Sequence, residues 1–254
     1  MNALNAISCP EWYQDLIQPV PGGNPCGESL EYDADFIMLQ SRLQPRAGAE
    51  YGHFIETPDP LNWAEIERDT RRLLTRSRDI RLIIVLIRCR LRVIGTEALA
   101  EGLAALYALL VTWPEALHPQ LSDEGVFDPL IRANALTELD APDGLLADLR
   151  QQMLPKAAGL QLSVHDVERA IQTPEAEGVL SGIALAAIKQ NWLEQQAPAI
   201  LALQQAWNYL QQLIDHLSEY LGMDTPLFSG LKGLLKPFIY SDCAEPTHKY
   251  PAFS

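Results

Sequence analysis

The stretch that most limits what this chain can fold into is Ile80–Ile94, IRLIIVLIRCRLRVI. It has no proline or glycine, and apolar residues cover most of its circumference when it is wound as a helix. A helix apolar nearly all round is buried, so the rest of the chain must wrap it. Yet it carries arginines. At ~100° per residue, Arg81, Arg88 and Arg92 share one side, Arg78 flanks them and Arg90 points the other way. A buried guanidinium must be paired, because removing one partner of a buried pair costs on the order of 3–5 kcal/mol. The alternative is a solvated edge.

The neighbouring sequence supplies two further helices. Asn62 followed by Glu65 is a capping pattern, Leu61 and Ile66 have staple spacing, and Trp63, Ile66, Leu73 and Leu74 follow helical periodicity. Ser77 is read as the cap of the central helix and Gly95 as its C-terminal stop. Thr96 is read as the cap of the next helix, which Pro114 ends at Trp113. Arginines 68, 71, 72, 76, 78, 81, 88, 90 and 92 lie within residues 68–92, offset there only by Asp69 and Asp79.

Elsewhere the pattern is also helical. A short helix spans Pro10–Gln18. The run PVPGGNPCGESLEYD is an ordered-loop signal. Asp33 caps a helix through Leu43, with Tyr32 and Ile37 at staple spacing. Residues 46–61 show no periodicity and read as a long loop. Helices follow over Pro129–Leu139 and Pro142–Leu154, then a short one opened by Ser163 and Asp166 and a longer one opened by Thr173-Pro174. Ile200, Leu203, Trp207, Leu210, Ile214, Leu217 and Leu221 repeat at 3, 4, 3, 4, 3, 4. That seam fits an antiparallel hairpin with the preceding helix, or self-association between chains. Thr225-Pro226 is read as the cap of a last apolar-faced helix, docked on the domain's own core or turned to a membrane surface or partner. No alternating β-branched run is present. The fold class is all-α: a multi-helix bundle with an antiparallel helical hairpin at the C-terminal side. The expected organisation is a helical domain over 1–158, a hairpin extension over 159–238 and a linker or disordered tail over 239–254.

Net charge −14 argues against non-specific nucleic-acid binding, which needs a basic surface. No apolar run, Leu82–Ile87 included, approaches the ~20 residues that span a bilayer. The N-terminus lacks the charged and apolar regions of a signal peptide, so a cytoplasmic setting is expected. The four cysteines are scattered and read as reduced thiols.

Catalytic patterns are missing. The five histidines form no metal-ligand spacing, and there is no nucleophile elbow or phosphate-binding glycine loop. No cofactor, small-molecule substrate or nucleic acid is implied, and the expectation is that the chain is not an enzyme. The one candidate nucleophile is Cys26, which would need His118 beside it in space; a small residue in a tight loop explains it equally.

The segment PCGESLEYDADF resembles the opening signature of the ImpA-related N-terminal domain family of the type VI secretion system. So do Trp63 with Glu67, Leu73-Leu74, Ser77-Arg78-Asp79-Ile80-Arg81, Gly95, Gly102-Leu103, Trp113, His118-Pro119 and Arg132-Ala133-Asn134-Ala135-Leu136. These motifs keep the family's order over about 19–140. The resemblance implies a non-enzymatic assembly protein that contacts baseplate, membrane-complex, tube and sheath proteins. It marks Pro25, Cys26, Gly27, Glu28, Asp33, Trp63, Arg78, Asp79, Arg81, Trp113, His118 and Pro119 as family-motif positions with a structural role. Members usually carry further C-terminal domains that form a ring, so this chain is read as an N-terminal piece or as a short member. For the arginines of the central helix, the nearest carboxylates are Glu28, Asp33, Asp35 and Asp79. Arg68, Arg71, Arg72 and Arg76 form the candidate partner surface, which would also suit a generic helical adaptor.

Overall fold

A computed structural model describes residues 9–44, 49–51, 54–56, 60–123, 125–174 and 178–239. The expected tail falls outside them from residue 240 on. The described chain is helical, as the periodicity implied: α1 (Gln14–Ile17), α2 (Ala34–Leu43), α3 (Trp63–Leu74), α4 (Ile80–Ile94) and α5 (Glu97–Thr112) come first. After them come α6 (Pro129–Leu136), α7 (Leu145–Arg150), α8 (Val164–Gln172), α9 (Gly182–Glu194), α10 (Pro198–Leu221) and α11 (Ser229–Leu235). Two short antiparallel hairpins, β1 (Ala49–Tyr51) with β2 (Phe54–Glu56) and β3 (Ser122–Asp123) with β4 (Val126–Phe127), stand where the sequence reads as loop.

Helix α4 is the buried centre. Ile80, Leu82, Ile83 and Ile87 are fully enclosed, and α4 packs on α3, α5 and α7. Gly102 brings α4 and α5 close: a Cβ there would lie 2.1 Å from Ile87 Cγ1.

The expected pairing of the long C-terminal helix is corrected. Helix α10 packs chiefly on α5, not on α9, while α9 packs against α8. The reason lies in α5, whose Ala98, Ala104, Ala105 and Ala108 are buried and small, so a second helix can approach closely. Ile200, Leu203, Leu210, Leu217 and Leu221 are buried in this core, with Trp207 and Ile214 packed at its edge. The stripe is therefore occupied within the chain and is not a free seam for self-association. Tyr13 and Phe238 belong to one continuous core, which crosses the boundary expected at residue 158. Helix α11 docks on that core through Leu231, Leu234 and Leu235.

Four caps moved, those at Ser77 and Thr96 because the hydroxyl found a tertiary partner. Asp79, not Ser77, caps α4, its carboxylate accepting from the Arg81 N–H at 2.8 Å. The Thr96 hydroxyl donates to the Ala199 carbonyl at 2.9 Å and does not cap α5. Thr173 ends α8, while Ser181 starts α9. Phe228, at φ 49°, precedes α11 in place of Thr225. Asp33, Asn62 and the Ser163–Asp166 box cap as expected. The Tyr32–Ile37 staple does not form, since Tyr32 is 94% exposed.

Candidate functional site

The family-motif residues converge on a junction of three backbone segments. Residues 26–28 run antiparallel to 76–78, and 79 bridges in parallel to 118. The Arg78 N–H donates to the Cys26 carbonyl at 2.7 Å, the Glu28 N–H to the Arg76 carbonyl at 3.4 Å and the Ser77 hydroxyl to the Glu28 carbonyl at 2.7 Å. On the other side, the His118 N–H donates to the Arg78 carbonyl at 3.0 Å and the Ile80 N–H to the His118 carbonyl at 2.9 Å. Gly27 is required there. Its φ is +73°, and a Cβ would lie 2.0 Å from the Arg76 carbonyl oxygen.

Arg78 and Trp113 finish the same junction. Helix α1 is a single turn, so its last carbonyls lack helical partners. The Arg78 guanidinium donates to the carbonyls of Asp15 at 3.2 Å, Leu16 at 2.7 Å and Gln18 at 3.0 Å, and also to that of Leu74 at the end of α3. The Trp113 indole donates to the one carbonyl left between them, that of Ile17, at 3.2 Å. Burial lowers the Arg78 pKa. A guanidinium remains charged in proteins even so, and here carbonyls rather than a carboxylate satisfy it.

Arg132 does the same for the loop after α5, donating to the carbonyls of Pro114, Leu117 at 2.6 Å and Pro119 at 2.9 Å. It is fully buried. The sequence signal for it was a single arginine on the apolar face of LIRANAL.

His118 does come near Cys26, as the nucleophile reading required. Its Nε2 lies 3.0 Å from the Gly27 carbonyl oxygen. That oxygen only accepts, so Nε2 carries the proton and is not free to take one from a thiol. Cys26 is fully buried, and burial pushes its thiol up to about 11. The reactive species is the thiolate, so the Cys26 geometry favours a structural thiol over a nucleophile. Pro25 is half-buried beside it, and Pro119 follows His118 through a cis peptide bond.

The arginines of α4 are paired, mostly with carboxylates other than those expected. Arg81 binds Asp79 at 2.8 Å, as anticipated, and also Glu31 at 3.0 Å. Arg88 and Arg92 both reach Asp148 on α7, at 2.5 and 2.6 Å. Arg90 meets Glu101 on α5 at 2.5 Å. Glu28 is exposed and contributes its backbone, while Asp33 binds Arg76 at 2.7 Å. The Phe36 N–H, and then Arg76, hold the Asp33 carboxyl below its ordinary value. Aromatic rings complete the packing: Arg92 lies 3.4 Å and Arg88 5.1 Å from the centre of Trp63, and Arg81 4.4 Å from that of Phe36.

The expected basic surface is not basic. Arg71 pairs with Glu67 at 3.0 Å, Arg72 with Asp35 at 3.5 Å, and Arg76 with both Asp33 and Asp35. Arg68 lies 3.8 Å from Glu65, and Arg42 holds Asp69 at 2.5 Å. Folding brings α2 beside α3, and its acids interleave with these arginines. The result is a mixed-charge network in which each of these arginines already faces a carboxylate. Among the described residues, no group of His, Cys, Asp and Glu is placed to hold a metal ion.

What the junction does is hold backbone. It fixes the proline-rich loop, the start of α4 and the loop after α5 in one register, with the reactive groups tied down. Residues 17–141 match the model of the family described as ImpA, N-terminal, type VI secretion system. The type VI secretion system component TssA1 of Pseudomonas aeruginosa is 32% identical over 126 residues, which are 50% of this chain and 37% of that protein. The chain thus spans well under half of that relative's length. The N-terminal domain of the TssA component from Burkholderia cenocepacia, which includes the ImpA_N region, has a similar fold: the TM-score is 0.60 at 20% identity, covering 94% of each chain.

Proposed function

Residues 17–141 belong to the ImpA N-terminal family of the type VI secretion system, and from that membership we propose that the chain serves as a non-enzymatic scaffold in assembly of the secretion apparatus. The observation that carries the reading is the family match itself. It falls on the junction described above, whose motif residues hold segments together and so build a rigid platform of helix faces. Binding partners would be the baseplate, membrane-complex, tube and sheath proteins of the same apparatus, met in the cytoplasm. No described helix is long and apolar enough to cross a membrane.

Residues 142–239 are proposed to be part of this same platform, since their side chains complete the core begun by the family-matched segment. The expected helical extension over 159–238 would then act with the first part as one unit.

The test is binding by the purified chain to each of the baseplate, membrane-complex, tube and sheath proteins, presented singly. Retention of at least one at micromolar concentration supports the proposal. Retention of none sinks it.

A further inference from the structure

Four large apolar side chains lie exposed within six consecutive positions: Val126 at 69%, Phe127 at 59%, Leu130 at 52% and Ile131 at 37%. They sit on strand β4 and the first turn of α6. The placement is built in. The Asp128 N–H donates to the Leu121 carbonyl at 2.8 Å, closing the hairpin base. The Asp128 carboxylate accepts from the Leu130 N–H at 3.1 Å, starting the helix. Arg132 then anchors the next turn in the core. The apolar side chains are thus held outward on a fixed frame.

Phe127 also lines a groove of about 590 Å³ whose other wall is Gly23, Asn24 and Pro25 of the proline-rich loop. Beside the patch, Glu115, which lines the same groove, is exposed and Asp128 is half-buried. Among the described residues, neither carboxylate is taken by an ion pair. Arg76, Arg81, Arg88, Arg90 and Arg92 are committed to other carboxylates, and Arg132 to carbonyls. An apolar centre inside an uncompensated acidic rim selects its complement. Two copies of this face would repel each other, the more so at net charge −14, and an anionic lipid surface would be repelled as well.

We propose that the groove between the β3–β4 hairpin and the Gly23–Pro25 loop, with the Val126–Ile131 patch, is a docking surface for a protein partner that presents a basic amphipathic segment. Apolar side chains of that segment pack on Phe127 and Leu130, and its lysines or arginines face Glu115 and Asp128. The choice of probes below rests on the scaffold reading; the surface itself is argued from its own chemistry.

The experiment immobilises each purified baseplate, membrane-complex, tube and sheath protein and measures binding of four forms of the full chain. These are the parent, Phe127→Asp with Leu130→Asp, Glu115→Lys, and Ile183→Asp on α9 as a remote control. Both substituted apolar side chains are more than half exposed, and matched thermal melts check that the fold is kept. Glu115→Lys tests the charge without touching the apolar patch, so a poorly folded double variant does not remove the test. The expected result is a component held by the parent and by Ile183→Asp, with at least tenfold weaker binding by the other two variants and weaker binding as salt is raised. Binding by the Phe127/Leu130 and Glu115 variants as tight as the parent's, or binding indifferent to salt, overturns this surface and leaves the scaffold reading standing. So does a parent that sediments as a dimer when the double variant is a monomer, since a second copy would then be the occupant. Failure of the parent to bind any component overturns both.

Discussion

Replacing Asp148 by Asn tests the charge arrangement of the core most directly. The Asp148 carboxylate takes Arg88 at 2.5 Å through one oxygen and Arg92 at 2.6 Å through the other. Its side chain is 7% exposed, that of Arg88 11% and that of Arg92 28%. Asn keeps the shape and one acceptor oxygen but removes the charge, leaving two guanidinium groups without a counter-ion. Breaking a buried pair from one side costs about 3–5 kcal/mol. Arg92 is open enough to turn toward water, so the low end, about 3 kcal/mol, is the expected loss. For a chain of this size each kcal/mol moves the melting point by roughly 2–4 °C, which gives a fall of roughly 6–12 °C. Urea unfolding followed by circular dichroism reads the free energy, and thermal melts read the shift. Glu67→Gln is the control: its partner Arg71 is 49% exposed, and such pairs contribute only about 0–1 kcal/mol. A loss below about 1 kcal/mol for Asp148→Asn, or equal losses for the two variants, would refute the argument that α4 depends on paired charge.

Other outcomes follow from the same geometry. Gly27→Ala places a Cβ against the Arg76 carbonyl and forces a left-handed backbone on alanine; a loss of about 3 kcal/mol or more is expected by denaturant unfolding. Asp140 accepts from the N–H groups of Gly230 at 3.2 Å and Leu231 at 2.6 Å; Asp140→Ala should cost about 1–2 kcal/mol and speed amide exchange over 229–235 ahead of α4. Cys26, enclosed and with its thiol pushed up to about 11, should resist iodoacetamide until the chain unfolds; rapid labelling of the native protein, read by peptide mass mapping, would revive the nucleophile reading. Glu168 has its pKa held down by the Arg150 hydrogen bond. The unfolded chain therefore binds more protons there, and this stabilisation is complete above the ordinary glutamate value of roughly 4.3 and lost as pH falls through the folded one. Glu168→Gln should accordingly flatten the acid limb of the stability profile; an unchanged limb would remove Glu168 from the account.

What could be read from the sequence was local. Capping by Asp33, Asn62 and Ser163 is decided within three residues, so the pattern predicts it. Ser77 and Thr96 misled for the opposite reason: their hydroxyls bond to carbonyls 49 and 103 residues away. The arginine stripe announced that it needed partners, but Asp148 lies 60 positions beyond Arg88. Its trace was one acid inside LLADLR, a short leucine-rich helix. Arg78 and Arg132 were harder still, because carbonyl acceptors occur at every residue and leave no mark in a sequence. The long apolar stripe was legible as a packing surface; its partner was not, since several apolar faces competed for it and the small residues of α5 decided the outcome.

The contact between α5 and α10 has a practical consequence for anyone cutting this chain. The family match ends at residue 141, which invites a fragment that stops there. Such a fragment would lack α10 and leave bare the α5 face that α10 covers. Each Å² of apolar surface uncovered forfeits about 25 cal/mol, and a bare apolar face promotes aggregation. The smallest piece expected to keep this core closed runs through Phe238, so the recognisable sequence signature is shorter than the core it belongs to.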